Sequence, residues 1–401
     1  MALLPVEEAR RRILAGVTPL AAETVTLAEA AGRVLAATVT AARDQPPFPA
    51  SAMDGYAVRC ADAETVPVTL RVIGMSAAGH GYRGRVGQGE AVRIFTGAPL
   101  PRGADTVVIQ ENASVPARSA VTILERPRHG QNVRQQALDF ARGDTLIAAG
   151  TRLGARDLGL AAAANRALLR VRKKPRVAIL ATGDELVVPG GRPRADQIVS
   201  SNGHGLAGLA RCFGADVLDL GIVRDDLGAT VRSIKRAAGA DILLTSGGAS
   251  VGEHDFVLAA LKQAGVAVDF WKIAMRPGKP FMYGRRKRQH VLGLPGNPVS
   301  ALVCARLFLK PLLDGLLGLA GSEDRTEARL ATPMAANDGR QDYVRAHVEV
   351  TTDGSRLVRP FARQDSSMQR TFRDADCLIV RPPFAPEAPA GGLVSILILD
   401  F

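Results

Sequence analysis

The sequence is poor in the residues that build disulfide frameworks, metal centres and base-stacking platforms. Its four cysteines, Cys60, Cys212, Cys304 and Cys377, are widely scattered over 401 residues with no C-x-x-C pair, and its six histidines never cluster at ligand spacing. Neither a disulfide scaffold nor a structural zinc site is therefore expected. Aromatic residues make up only 4% of the chain, and no RRM-like, zinc-finger or basic-zipper pattern occurs, so no nucleic-acid partner is expected. No uninterrupted apolar run reaches the roughly 18 residues a membrane span needs, and no membrane partner is expected either. The opening Met-Ala-Leu-Leu-Pro-Val-Glu-Glu-Ala-Arg-Arg-Arg places acids ahead of its basic run and has no apolar core segment. It does not read as a secretory signal, which leaves a cytoplasmic location as the expectation. A Walker A site is missing, because Gly278-Lys279 is followed by Pro280 rather than by Ser or Thr, so ATP hydrolysis is not expected.

What is present describes a globular, soluble chain. With 47% hydrophobic and 22% charged residues, it can bury several cores and divide into three or four domains. The formal net charge of +12 favours anionic partners and by itself suits nucleic acid and a phosphorylated small molecule equally. The densest basic run, Arg285-Arg-Lys-Arg288, lies between two apolar segments and reads as a solvated hairpin turn. Arg10, Arg11 and Arg12 read as the solvent face of an N-terminal helix.

From Lys174 to about Gly315, β-runs at 176–180, 216–220, 241–245, 266–270 and 290–294 alternate with helical patterns at 203–213, 227–238, 256–264 and 298–314. That alternation predicts an α/β domain on a parallel sheet. Residues 42–142 instead hold short β-runs broken by Gly and Pro, at 66–73, 91–95, 106–110 and 121–124, which predict a β-rich insertion. The Ala-rich segments 20–38 and 143–171 flank it with helical periodicity and pair as a split, stalk-like unit. After about Leu319 the pattern turns β again, at 346–351, 357–360, 377–380 and 394–399, and predicts a small terminal barrel.

Residues 241–255 run from an apolar strand into a turn holding Gly247, Gly248 and Gly252 with Ser246 and Ser250, and then into a helix. Glycines let the backbone approach an anion, the hydroxyls donate, and the helix start offers free N–H groups. A second segment, residues 271–280, places Lys272, Arg276 and Lys279 around Pro277 and Gly278. A third, residues 291–300, repeats strand, turn and helix through Pro295, Gly296, Asn297 and Pro298 to Ser300. The Ser/Gly turn, the Pro-Gly-Asn-Pro turn, the segment holding Thr182, Gly183, Asp184 and Glu185, and the segment Arg224-Asp-Asp226 all fall beyond the carboxyl ends of the predicted strands, where open α/β sheets bind ligands.

Carboxylates supply the chemistry a phosphate cradle lacks. Asp54, Asp139, Asp184, Glu185, Asp225, Asp226 and Asp255 are the candidates, and hard oxygen ligands of this kind suit Mg²⁺ shared with substrate phosphates. Helix capping is the competing reading for Asp184 and Asp255.

Seven motifs in order carry a resemblance: Ser51-Ala-Met-Asp-Gly-Tyr-Ala57, Thr96-Gly-Ala-Pro99, Ala181-Thr-Gly-Asp-Glu-Leu186, Gly221-Ile-Val-Arg-Asp-Asp226, Ser246-Gly-Gly-Ala-Ser-Val-Gly-Glu-His-Asp255, Arg276-Pro-Gly-Lys-Pro280 and Leu294-Pro-Gly-Asn-Pro-Val-Ser300. Across nearly the whole chain they resemble the molybdopterin molybdenumtransferases, the MoeA family to which the E domain of gephyrin corresponds.

The resemblance implies an elongated homodimer. It implies an α/β domain at 1–20 and 172–318 that binds molybdopterin and nucleotide, and a split subdomain at 21–42 and 143–171. A β-rich domain at 43–142 and a C-terminal β-barrel at 319–401 complete the four. The implied reaction inserts molybdenum from molybdate into adenylylated molybdopterin with Mg²⁺ participating, and releases AMP. A separate MogA-like molybdopterin adenylyltransferase would supply the activated pterin.

By the same resemblance Glu185 and Asp226 position the metal or the hydrolytic water, with Asp225 and Asp255 among the catalytic acids. The Ser/Gly turn and Pro-Gly-Asn-Pro hold the nucleotide and pterin ends. Lys272, Arg276 and Lys279 steady molybdate and phosphates, and Ser366 contributes from the terminal domain. Asp54, Thr96 and Asp139 reach in from the partner subunit's insertion.

The sequence departs from the family pattern twice. Where many members carry Arg-Arg-x-Gly-Glu-Asp, this chain has Arg134-Gln-Gln-Ala-Leu-Asp139, and Asp365 stands where a glycine is expected before Ser366. A tungstate-preferring paralogue and a non-catalytic scaffold of the same fold are the alternatives. Gly248-Ala-Ser-Val-Gly252 matches a nucleophile elbow in form only, since Thr245, Ser246 and Gly247 separate it from the apolar strand run.

Overall fold

The computed structural model describes residues 3–247, 256–321, 324–352 and 354–401. The chain divides into two compact units, one of Met1–Glu23, Gly32–Ala36 and Val171–Phe401, the other of Thr24–Ala31 and Ala37–Arg170.

The first unit is built on the run Arg176–Thr182, apolar at nearly every position and buried from Val177 onward. Such a strand, without alternation, is stable only with cover on both faces. It pairs in parallel with Asp216–Val223 on one side and Ile242–Ser246 on the other, and Ile242–Ser246 pairs in parallel with Gln289–Leu294. Val177 and Ile179 face a core shared with Val6, Ala9 and Ile13 of the helix Val6–Leu14 and with the helical stretch from Pro298. Ala178 and Leu180 face the opposite core, against Val231 and Ile234 of the helix Leu227–Arg236 and Val257 and Leu261 of the helix Phe256–Gln263.

The alternating pattern predicted a parallel sheet. The structure instead inserts Met282–Arg286 antiparallel between Gln289–Leu294 and Ala267–Trp271. The cause is local: Arg286 faces Gln289 across a two-residue turn, Lys287-Arg288, and a hairpin that tight can only be antiparallel. The basic run is thus the expected hairpin turn. The helical pattern 298–314 is also interrupted. Pro298–Cys304 and Lys310–Leu317 are α-helical, but Ala305–Leu309 widens to a π-turn just before Pro311, whose missing N–H cannot close an ordinary turn.

The C-terminal strands close a barrel. Gln341–Val350 pairs antiparallel with Arg356–Pro360 and Cys377–Arg381, Cys377–Arg381 with Leu393–Ile398, and Leu393–Ile398 with Arg325–Leu330, which returns to Arg356–Pro360 in parallel. Period-two alternation divides one strand between two cores. Cys377 and Ile379 fill the barrel, while Leu378 and Val380 join the core of the α/β sheet.

The second unit carries a six-stranded sheet in the order Thr106–Ile109, Gly55–Val58, Glu90–Ile94, Val68–Ser76, Ala120–Ile123, Ala113–Ala117. Tyr56 and Val58 pack on one face and Ala57 on the other. Gly55 is required by close approach, because the Val108 carbonyl oxygen lies 1.9 Å from where a Cβ would stand. Val39–Thr40 pairs antiparallel with Thr145–Ile147, joining distant pieces of chain. Of the helical pattern expected over residues 20–38, the structure keeps only a three-residue 3₁₀ turn, Leu27–Glu29, after a strand Ala22–Thr26. Thr26 and Glu29 form a capping box there, and the β-branched Thr24, Val25 and Thr26 outweigh the alanines.

Candidate functional site

The connections from Arg176–Thr182 to Asp216–Val223 and from Ile242–Ser246 to Gln289–Leu294 lead to opposite sides of the sheet. The order of strands reverses between Thr182 and Ser246, and a crevice opens there beyond the strands' carboxyl ends. It measures about 450 Å³ and is lined by Thr182, Glu185, Ser200–Asn202, Ser246, Gly247, Gly296–Pro298, Ser367 and Gln369, with Ala181, Leu186, Ile198 and Val199 supplying its apolar wall.

Gly247 allows the crevice to form. Its φ is +98°, and the Thr182 carbonyl oxygen lies 2.3 Å from where a Cβ would stand. The Thr182 hydroxyl is buried and has no hydrogen-bond partner among the described residues, a state that costs free energy unless a ligand or water completes it. Gly183, with φ +148°, packs against the Glu185 carboxylate, which would stand 2.4 Å from its Cβ. Glu185 is the one ionisable side chain among the described residues lining the crevice.

Hydrogen bonds tie the rim together. Asn202 donates to the Ser246 hydroxyl at 2.8 Å and to the Gly296 carbonyl at 2.7 Å. Asn297 donates to the Ser366 hydroxyl at 2.8 Å, and Gln369 donates to the Ser201 hydroxyl at 2.6 Å. Asp365, which replaces the expected glycine, accepts from both the amide and the hydroxyl of Ser367 at 2.8 and 2.6 Å, and these bonds hold its carboxyl below the usual range. The helix from Pro298 offers fewer donors than its turn implied: Pro298 has none, and the Val299 N–H is taken by the Ser366 carbonyl. Side-chain hydroxyls and amides therefore form most of the polar lining.

The structure thus brings together Thr182, Gly183, Glu185, Ser246, Gly247, Gly296, Asn297, Pro298 and Ser366. Pro295 and Ser300 stand buried behind them. Gly248, Ser250, Gly252 and Asp255 lie outside the described residues. Asp184 accepts from the Asp225 amide at 3.3 Å, and Asp226 caps the helix Leu227–Arg236 by accepting from the Ala229 amide at 2.6 Å. No helix follows Asp184, which is succeeded by the short strand Leu186–Val187, so it is not the cap weighed for it, whereas Asp226 is one.

The cationic segment does not line the crevice. Arg276 donates to Asp342, with Nε to Oδ1 at 2.9 Å, and to Asn337 at 3.3 Å, which commits its guanidinium to the adjoining strand Gln341–Val350. Lys272, at φ +74°, holds its ammonium 4.9 Å from the Trp271 ring centroid. Lys279 is exposed, and Gly278 packs on Cys304.

In the second unit Asp54 accepts from the Thr96 amide at 2.7 Å and the Thr96 hydroxyl at 2.8 Å. The amide bond first, then the hydroxyl and the nearby Arg93 charge, hold the Asp54 carboxyl below its usual range. Asp139 is exposed at the surface of the same unit. Ala137, where the family pattern has glycine, adopts φ +59°, and the following Leu138 is solvent-exposed.

Ser200, Ser201, Asn202, Ser367 and Gln369 were missed as site residues. For the first three the signal was a hydroxyl and amide run immediately before a predicted helix, a common capping pattern that did not by itself indicate a ligand.

Fold and crevice define a multidomain α/β protein with a polar-lined crevice at the sheet's topological switch point. Three family models match in succession: the MoeA N-terminal region (domain I and II) over residues 4–165, the "Probable molybdopterin binding domain" over 178–315, and the MoeA C-terminal region (domain IV) over 327–399. The molybdopterin molybdenumtransferase of Haemophilus influenzae is 34% identical over 98% of both chains, and that of Nostoc sp. is 38% identical over 83% of this chain and 75% of its own. A molybdopterin biosynthesis MoeA protein from Pyrococcus horikoshii superposes with a TM-score of 0.85 at 30% identity, covering 99% of each chain. The chain belongs to the molybdopterin molybdenumtransferase family, transferases of molybdenum cofactor biosynthesis.

Proposed function

We propose that this chain inserts molybdenum from molybdate into adenylylated molybdopterin and releases AMP, as a homodimer supplied by a MogA-like adenylyltransferase. The observation that carries this reading is the crevice at Thr182 and Ser246. Its hydroxyls and amides suit a substrate with a pterin, phosphates and a nucleotide, and it holds the buried Thr182 hydroxyl, which has no hydrogen-bond partner among the described residues.

In this reading Ser246, Asn297 and the Gly247 and Gly296 backbone bind the substrate, and Glu185 takes up a proton from the attacking water. The new P–O bond forms as the bridging P–O bond breaks, and AMP departs. A Mg²⁺ ion fits the residues present only in the mode that uses one protein carboxylate together with substrate phosphates. Among the described residues no group of three or more His, Cys, Asp or Glu could hold it. Glu185 would be its ligand, and the ion would offset phosphate charge. Lys272 and Lys279, which stand outside the crevice lining, would supply positive charge to the incoming oxyanion only at longer range, while Asp54 and Thr96 act from the second subunit.

Glu185→Gln tests this assignment, because it keeps the side chain's shape and removes its charge and basicity. Molybdate-dependent AMP release should fall about 100-fold or more, with unfolding and oligomeric state unchanged. Undiminished release would remove Glu185 from the reaction.

A further inference from the structure

We propose that Asn202 is the positioning residue of this site: its single amide group fixes Ser246 as a hydrogen-bond donor toward the substrate. Asn202 opens the helix Asn202–Cys212 and lies on the crevice wall. Both of its amide protons are used, one on the Ser246 Oγ at 2.8 Å and the other on the Gly296 carbonyl at 2.7 Å. One planar group therefore holds the ends of two different strands, Ile242–Ser246 and Gln289–Leu294, at a fixed separation.

The chemical consequence concerns the serine proton. A hydroxyl has one proton to donate and two lone pairs. An amide that can only donate along its N–H bonds occupies a lone pair of Ser246 and leaves the proton free. Ser246 is buried apart from its opening into the crevice, and no acceptor for that proton is found among the described residues. The hydroxyl is thereby oriented to donate to an anionic oxygen of the substrate. The Asn202 Oδ1 makes no hydrogen bond among the described residues and is free to accept from a donor on the ligand.

The inference rests on the crevice being the substrate site, and a double-mutant cycle separates the two. Asn202→Asp keeps the side chain's shape but reverses the polarity, so the Ser246 proton turns toward residue 202 and the Gly296 carbonyl is repelled. With adenylylated molybdopterin, molybdate and Mg²⁺, Asn202→Asp should lower kcat/KM for AMP release at least about tenfold. Ser246→Ala should do the same, and the double variant should be no worse than the poorer single one. Asn202→Ala, which removes the donors without adding charge, should also be strongly non-additive with Ser246→Ala, while Asn202→Gln leaves KM and kcat closer to the parent than either.

If Ser246→Ala is itself without effect, the crevice reading fails. If Ser246→Ala is impaired and the Asn202 changes simply multiply its effect, the crevice stands and Asn202 does not act through Ser246. Thermal midpoints of all the variants identify a loss that comes from unfolding.

Discussion

The Thr182 carbonyl oxygen lies 2.3 Å from where a Cβ on Gly247 would stand, so the ends of two neighbouring parallel strands meet at a position only glycine can occupy. The approach is backbone to backbone and cannot be relieved by rotating a side chain. Gly247→Ala adds about 1–2 kcal/mol for a left-handed residue with a side chain and also forces the crevice apart. AMP release should fall about 100-fold, as expected when reacting groups are displaced by an ångström. Parent-like turnover in this variant would show that the turn is not part of the site.

Ala137 presents the opposite case. It carries φ +59° without being glycine, at the position where the family pattern has glycine. Ala137→Gly should raise the stability of the unit containing it by about 0.5–1 kcal/mol, the relief of the left-handed strain less the greater freedom of glycine in the unfolded chain. Urea denaturation of the two proteins measures this, and a midpoint that falls on substitution would contradict it.

Asp54 is kept ionised by two donors from one residue, the amide and hydroxyl of Thr96. Thr96→Val removes the hydroxyl and leaves the amide. The Asp54 carboxyl should then titrate at higher pH, followed by its carboxyl carbon resonance in the full-length protein. An unmoved titration would mean that the amide bond and the Arg93 charge suffice.

His290 is buried with its Nδ1 2.9 Å from the Tyr283 hydroxyl. Desolvation first, then the Arg285 charge, lowers its pKa from the ordinary 6.5 to about 4. The folded protein therefore binds fewer protons than the unfolded chain between those values, and stability falls as pH falls from 6.5 toward 4. The contribution, fully present above pH 6.5, amounts to about 3 kcal/mol at most. His290→Gln, which does not titrate and can still accept from Tyr283, should lose less stability than the parent between pH 7 and pH 4. Equal losses would place the acid sensitivity elsewhere.

Much of the fold was legible because its signals are local. The run at 176–182 is too apolar for an exposed strand, and Gly247 and Pro298 mark where strands end and helices begin. The four turns expected at one sheet edge follow from parallel topology, and Glu185, Ser246, Gly296 and Asn297 are found together there. What failed depended on partners far along the chain. The cation count around Arg276 could not show that Asp342 claims its guanidinium. The acids of 224–226 did not reveal that Asp226 spends an oxygen on the Ala229 amide. Alanine's helical bias misread residues 20–38, where pairing and β-branched neighbours decide. Nothing in the sequence marked Asn202, because the two acceptors of its amide, Ser246 and Gly296, lie far along the chain.

The most direct measurement is AMP release from adenylylated molybdopterin by the purified protein with Mg²⁺, with and without molybdate, and with tungstate as comparison. Release that requires the oxyanion and yields active molybdenum cofactor is the predicted result. Pterin bound without any oxyanion-dependent release would contradict the account and leave a binding protein on the same fold.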